Sequence, residues 1–205
     1  MYCTKCKCRF SEWLKECPNC NIPLVDVLSH EDKSGGKAIT YDELISLVNK
    51  NYGRIECQLT AVDVRMQKQL LFPYRGHGYS WTEQLQGMYH DIPIDLKTTD
   101  TGKVRKWSFP YFGYGYAWAK RMEGSIGGNP AFIQSENVEM QKKQKFPYLG
   151  YGFAWTKSFK GQCGDKLKLE LEITDVGRLE KYQFPYQGYG FAWEKQGTLI
   201  IRKSD

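Results

Sequence analysis

The sequence predicts a mainly β protein: an eight-stranded antiparallel barrel that follows a small cysteine-rich unit and one short helix. Three observations carry this expectation. An aromatic signature of ten residues recurs four times, the apolar residues upstream of it alternate with period two, and five of the seven cysteines fall within the first twenty residues. The signatures are FPYRGHGYSW at 72–81, FPYFGYGYAW at 109–118, FPYLGYGFAW at 146–155 and FPYQGYGFAW at 184–193. Their leading phenylalanines are 37, 37 and 38 residues apart, and the four copies hold twenty of the thirty aromatic residues.

Each repeat reads as two strands. The first alternates apolar and polar residues, as in Ile55, Cys57, Leu59 and Ala61, or Ile92, Ile94 and Leu96, and most regularly in Leu167, Leu169, Leu171 and Ile173. Phe-Pro-Tyr then interrupts pairing, because proline offers no ladder donor. The second strand starts inside the signature, with Tyr189, Phe191 and Trp193 on one face and Gly190 and Ala192 on the other. Gly87, Gly124, Gly161 and Gly197 follow the signature tryptophans and read as turns back. Repeats at about 54–90, 91–127, 128–164 and 165–203 thus supply eight strands, and closure would remove their edges. A four-bladed propeller and a two-sheet sandwich are the alternatives. Val64-Arg-Met-Gln-Lys68 matches Val138-Glu-Met-Gln-Lys142, whereas Thr99-Asp100 and Gly102 match Thr174-Asp175 and Gly177, so a two-repeat unit reads as duplicated.

At the N-terminus, Cys3-x2-Cys6 and Cys17-Pro-Asn-Cys20 form two knuckles ten residues apart, a spacing that suits a tetrahedral four-thiolate site. Four protein ligands leave no open position, so one structural Zn²⁺ is expected there. Rubredoxin-like iron or a redox pair are the competing chemistries, and Cys8 is a spare thiol or a competing ligand. Residues 1–25 resemble the short zinc-ribbon family, and the resemblance implies an adaptor surface rather than an enzyme. Residues 26–38 read as a linker. Residues 39–53 then read as a helix, with Thr40 as N-cap, Glu43 closing a capping box, Ile39 and Leu44 as a hydrophobic staple and Gly53 as the stop. Residues 54–205 make up the repeat domain, and the helix is expected at the glycine-turn end of it.

The balance of 29 basic and 23 acidic residues, +6 in all, is mild for a dedicated duplex binder. No stretch approaches the ~20 apolar residues of a membrane helix, and the N-terminus lacks the apolar core of a secretory signal. A cytoplasmic protein with no membrane partner is expected. The histidines His30, His77 and His90 show no catalytic or metal-ligand spacing, and the Gly-x-Gly of each signature lacks the strand-to-helix setting of a dinucleotide site. Cys57 and Cys163 read as inert.

Function is therefore expected to be non-catalytic: a zinc-ribbon adaptor or scaffold whose aromatic domain binds a protein partner. Binding of single-stranded nucleic acid, with Lys106, Lys143 and Lys181 on the phosphates, is one alternative. A small-molecule binder or enzyme using an Arg75–His77 corner is another. A rim of Tyr74, Arg75, His77, Tyr111, Tyr148 and Tyr186 is the expected binding surface, against the competing reading that the aromatics fill the barrel interior.

Overall fold

The computed structural model describes residues 36–71, 75–108, 112–145, 149–183 and 187–204, together with a two-stranded antiparallel pair, β1 (Tyr2–Cys3) and β2 (Leu24–Val25). A helix, α1 (Tyr41–Lys50), is followed by eight strands: β3 (Arg54–Leu71), β4 (Arg75–Tyr89), β5 (Ile92–Ser108), β6 (Phe112–Ile126), β7 (Asn129–Lys145), β8 (Leu149–Cys163), β9 (Leu167–Gln183) and β10 (Gln187–Lys203). They close as an antiparallel barrel, each strand beside its sequence neighbours and β10 beside β3. The meander barrel is thus the architecture, and the propeller and sandwich are excluded.

The helix forms where its caps require it. The Thr40 side chain accepts from the Glu43 N–H, and the Glu43 carboxylate accepts from the Thr40 N–H at 2.7 Å. Asn51 is the C-cap, and Gly53 takes a left-handed φ of +79°. Leu44 and Val48 are buried and plug one end of the barrel, packing on an aliphatic core that includes Leu59, Leu85, Leu96, Ile133, Leu169 and Leu199. The loops at this end hold the helix in place. Ile39 N–H donates to the Gly127 carbonyl, and Tyr41 Oη donates to the Cys163 carbonyl while accepting from the Lys166 N–H. The helix does lie at the end opposite the signature loops.

The barrel is fully closed only at this end. Within each hairpin the ladder runs nearly the length of both strands, from Leu59↔Gly87 to Leu71↔Arg75 in β3–β4, for example. Between hairpins it stops early. The β4–β5 ladder extends only from Tyr89↔Ile92 to Gln84↔Lys97, β6–β7 stops at Arg121↔Gln134, β8–β9 at Ser158↔Glu172, and β10–β3 at Gln196↔Thr60. At the same level every hairpin carries a register shift, at Ala61/Asp63, Thr98/Asp100, Ser135/Asn137 and Glu194/Gln196. A bulge changes which side chains face in. Leu85, Met122, Phe159 and Leu199 line the aliphatic core below it, whereas Thr82, Ala119, Thr156 and Glu194, an odd number of residues away, are buried just above. The barrel therefore continues as four hairpin arms whose even-numbered strands pack together.

Two expectations are corrected here. Gly87, Gly124, Gly161 and Gly197 are not turns; they lie inside β4, β6, β8 and β10. A side chain on Gly124 would overlap the Asp95 carbonyl oxygen and one on Gly161 the Phe132 carbonyl oxygen, so glycine serves the close approach of the paired strand. The turns fall instead at His90, at Gly127–Gly128 and at Gly164, all with positive φ.

The zinc ribbon is the second correction. No group of three or more His, Cys, Asp or Glu residues that could hold a metal exists among the described residues. The side chains of Cys3, Cys6, Cys8, Cys17 and Cys20 lie outside them. The structural Zn²⁺ and the zinc-ribbon adaptor built on it accordingly have no support and are withdrawn.

Candidate functional site

The arms are built on the signatures, and glycine is what lets them meet. A Cβ on Gly115 would lie 2.8 Å from the Gly78 carbonyl oxygen, one on Gly152 3.0 Å from that of Gly115, one on Gly190 2.6 Å from that of Gly152, and one on Gly78 3.0 Å from that of Gly190. The contacts close a ring through β4, β6, β8 and β10. Signature rings cover the outer glycines in the same sense: His77 lies over Gly113, Tyr114 over Gly150, Tyr151 over Gly188 and Tyr189 over Gly76. Each such ring also stacks on the next aromatic of its own strand, with centroids 6.2–6.5 Å apart in His77–Tyr79 and Tyr114–Tyr116.

Among the described residues the signature aromatics are buried, apart from the half-buried Trp118 and Trp193, but not by filling the aliphatic core. Tyr114, Tyr151 and Tyr189 are at most 1% exposed, and Trp81 and Trp155 are buried as well. They occupy the four seams where the ladders between hairpins have ended. Cations from the odd-numbered strands span those seams. Lys103 sits 4.6 Å over the Trp81 ring and Arg178 4.7 Å over Trp155, while Lys142 sits 4.8 Å over Tyr114 and Lys68 5.5 Å over Tyr189. The pattern alternates, tryptophan in two seams and tyrosine in the other two.

One buried carboxylate marks the level where arms and barrel join. Glu194 is fully buried, and its two oxygens accept from the Thr156 N–H at 2.7 Å and the Thr82 N–H at 3.3 Å. Thr82 Oγ1 donates to the Glu194 carbonyl and Thr156 Oγ1 to the Ala119 carbonyl, both at 2.6 Å. Burial raises the Glu194 carboxyl above its usual range despite these donors. Sequence reading missed this residue. Its signal was present, since the place after each signature tryptophan holds Thr82, Ala119, Thr156 and then Glu194.

Of the expected rim, Tyr74, Tyr111, Tyr148 and Tyr186 lie outside the described residues, as does the Arg75 side chain. His77 is corrected: it is wholly buried, edge-on to Trp107 at 5.0 Å and 87°, so no Arg75–His77 corner presents an open imidazole. Burial holds His77 below the usual histidine range, and the nearby Arg105 charge adds to this. Cys57 and Cys163 are free and buried, and burial pushes their thiols up to about 12 and about 11, so both are poor nucleophiles.

Besides Met66, Leu70 and Met140, the arms expose aromatic and basic side chains. Trp107 on β5 is 43% exposed and Tyr182 on β9 51%. They hold the same position, two residues before a signature, and each is braced edge-on by a buried ring: Trp107 by His77, and Tyr182 by Tyr151 at 5.3 Å and 83°. Around them the charge is one-sided. Residues 64–82, 101–118, 138–155 and 176–193 contain eleven basic side chains: Arg65, Lys68, Arg75, Lys103, Arg105, Lys106, Lys142, Lys143, Lys145, Arg178 and Lys181. Only two acidic residues, Glu139 and Glu180, fall in the same stretches. This excess of nine is larger than the net +6 of the whole chain, so the remainder is net acidic. Elsewhere, a shallow open groove lined by Arg121, Phe132, Gln162 and Asp165 lies on the outside of the barrel, away from the signatures.

No protein-family model, curated protein sequence or solved structure matches the chain. The resemblance of residues 1–25 to the zinc-ribbon family is thus without a matching family model. The functional reading rests on the chain's own geometry. No helix among the described residues is long and apolar enough to cross a membrane.

Proposed function

We propose that this is a non-catalytic binding protein that engages an anionic macromolecule through the arm end of its barrel. The observation that carries the reading is the segregation of charge: eleven cations and two acids on the arms, against a net acidic remainder. A dipolar distribution of this kind orients an approaching polyanion toward one end and raises its local concentration there. Half-exposed aromatics beside those cations supply apolar contact area once charge has brought the partner in. The free thiols of Cys57 and Cys163 support a reducing, cytoplasmic setting.

Retention on immobilised heparin tests the reading. The protein should be held at low salt and elute as salt rises. The double variant Arg105→Glu/Lys106→Glu should elute at clearly lower salt, whereas Lys168→Glu, at the helix end, should elute like the wild type. Equal shifts for both variants would mean that net charge, and not the arm end, governs retention.

A further inference from the structure

The arms carry a more specific reading, one that rests on the anionic-partner proposal above. We infer that the partner is a single-stranded nucleic acid, its bases stacking on Trp107 and Tyr182 and its phosphates meeting the cations spaced along the outer strands. The two aromatics supply the first half of the argument. Each is half-exposed, and each packs nearly perpendicular to a buried ring, His77 or Tyr151. A ring packed against a buried neighbour is restrained before any ligand arrives, so a base stacking on it orders less of the side chain. Arg105 lies 5.1 Å over the Trp107 ring, a guanidinium placed to stack with a base or to meet its phosphate.

The spacing of charge supplies the second half. Cations occur from seven residues before a signature, at Arg65, to one before, at Lys145. At ~3.3 Å per residue this spreads them over roughly 20 Å of the long axis. A flat anionic membrane meeting the arm end would attract only the cations within a Debye length of about 8 Å. A flexible phosphate chain lying along an arm can meet the two or three cations of that arm's outer strand, at whatever depth they lie. An acidic peptide could also follow the strands, but its carboxylate side chains have no flat face to stack on the exposed rings, whereas every base has one. Because only the second and fourth repeats place an aromatic two residues before the signature, there are two stacking stations, one on the hairpin of β5 and one on that of β9.

The test is fluorescence anisotropy of a labelled oligothymidylate, on the order of 20 nucleotides so that it exceeds a single site, with the full chain. Binding should weaken steeply with salt. Trp107→Ala and Tyr182→Ala should each lower affinity at least about five-fold, and Trp107→Phe should keep most of it. Unchanged melting temperatures would show that these variants fold. Binding that survives loss of both aromatics overturns the inference. So does binding of phosphatidylserine vesicles or polyglutamate without binding of the oligonucleotide, an outcome that leaves the anionic-partner reading standing. Failure to bind any polyanion removes both.

Discussion

At the scale of single residues, buried His77 and Glu194 pull stability in opposite directions with pH. His77 has its folded pKa lowered by burial, so the unfolded chain takes up the proton first. Its contribution is complete above the unfolded value near 6.5 and is lost as pH falls below it, at about 1.4 kcal/mol for each unit between the two pKa values. Glu194 has its folded pKa raised by burial. Its contribution is complete below the unfolded carboxyl value and is lost as pH rises through the folded one. His77→Phe should therefore gain on the wild type as pH is lowered from 8 to 5, the phenyl keeping the packing over Gly113 that tyrosine provides elsewhere in the ring. Urea midpoints at the two pH values measure it, and parallel curves would refute it. Glu194→Ala should cost about 2–5 kcal/mol at acidic pH, and less as pH rises, because it leaves the Thr82 and Thr156 N–H groups buried without their acceptor. Glu194→Gln should cost less and should remove the loss of stability at rising pH.

At the scale of elements, the strands and their number were legible because period-two alternation and a fixed repeat are local signals. Ile92, Ile94 and Leu96 face the core as the alternation says. What was not legible is the change of face at the bulges. A register shift depends on which residue is skipped in both paired strands, and that is decided by the partner strand and by packing above and below. The signature was accordingly read as one inward and one outward face, whereas both faces of β4, β6, β8 and β10 are buried, glycine against backbone and aromatics in the seams. The same logic separates the glycines by consequence. Gly124→Ala and Gly161→Ala place a methyl on a backbone carbonyl of the paired strand, which cannot move alone, and should abolish soluble expression or cost well over 3 kcal/mol. Gly188→Ala meets chiefly the Tyr151 ring, at 3.0 Å, and should be milder. Similar melting temperatures for all three variants would show that the close approaches relax.

At the scale of the whole molecule, the two ends are built on different physics and should fail independently. The helix end is an aliphatic core sealed by Leu44 and Val48, with ladders continuous around the barrel. Among the described residues the arm end has no ladder between hairpins; ring packing over glycine and four cation–aromatic contacts across the seams help hold it, and the cations that close its seams are among those that give it its field. That charge stood out in the sequence only when counted by position within the repeat, since summing over the domain lets the acidic helix end offset part of it. A mixed surface would couple stability and binding to the same substitutions; a segregated one should not. Leu44→Ala/Val48→Ala should cost about 2–5 kcal/mol of stability for the buried leucine alone and lower the melting temperature markedly, yet leave the salt at which the folded protein leaves heparin unchanged. Arg105→Glu/Lys106→Glu should do the reverse, since exposed charges contribute little to folding but dominate long-range attraction. Measuring both quantities on both variants gives a two-by-two result. If the core variant also weakens retention well below its melting temperature, the arms depend on the plugged end for their arrangement, and the molecule works as one unit.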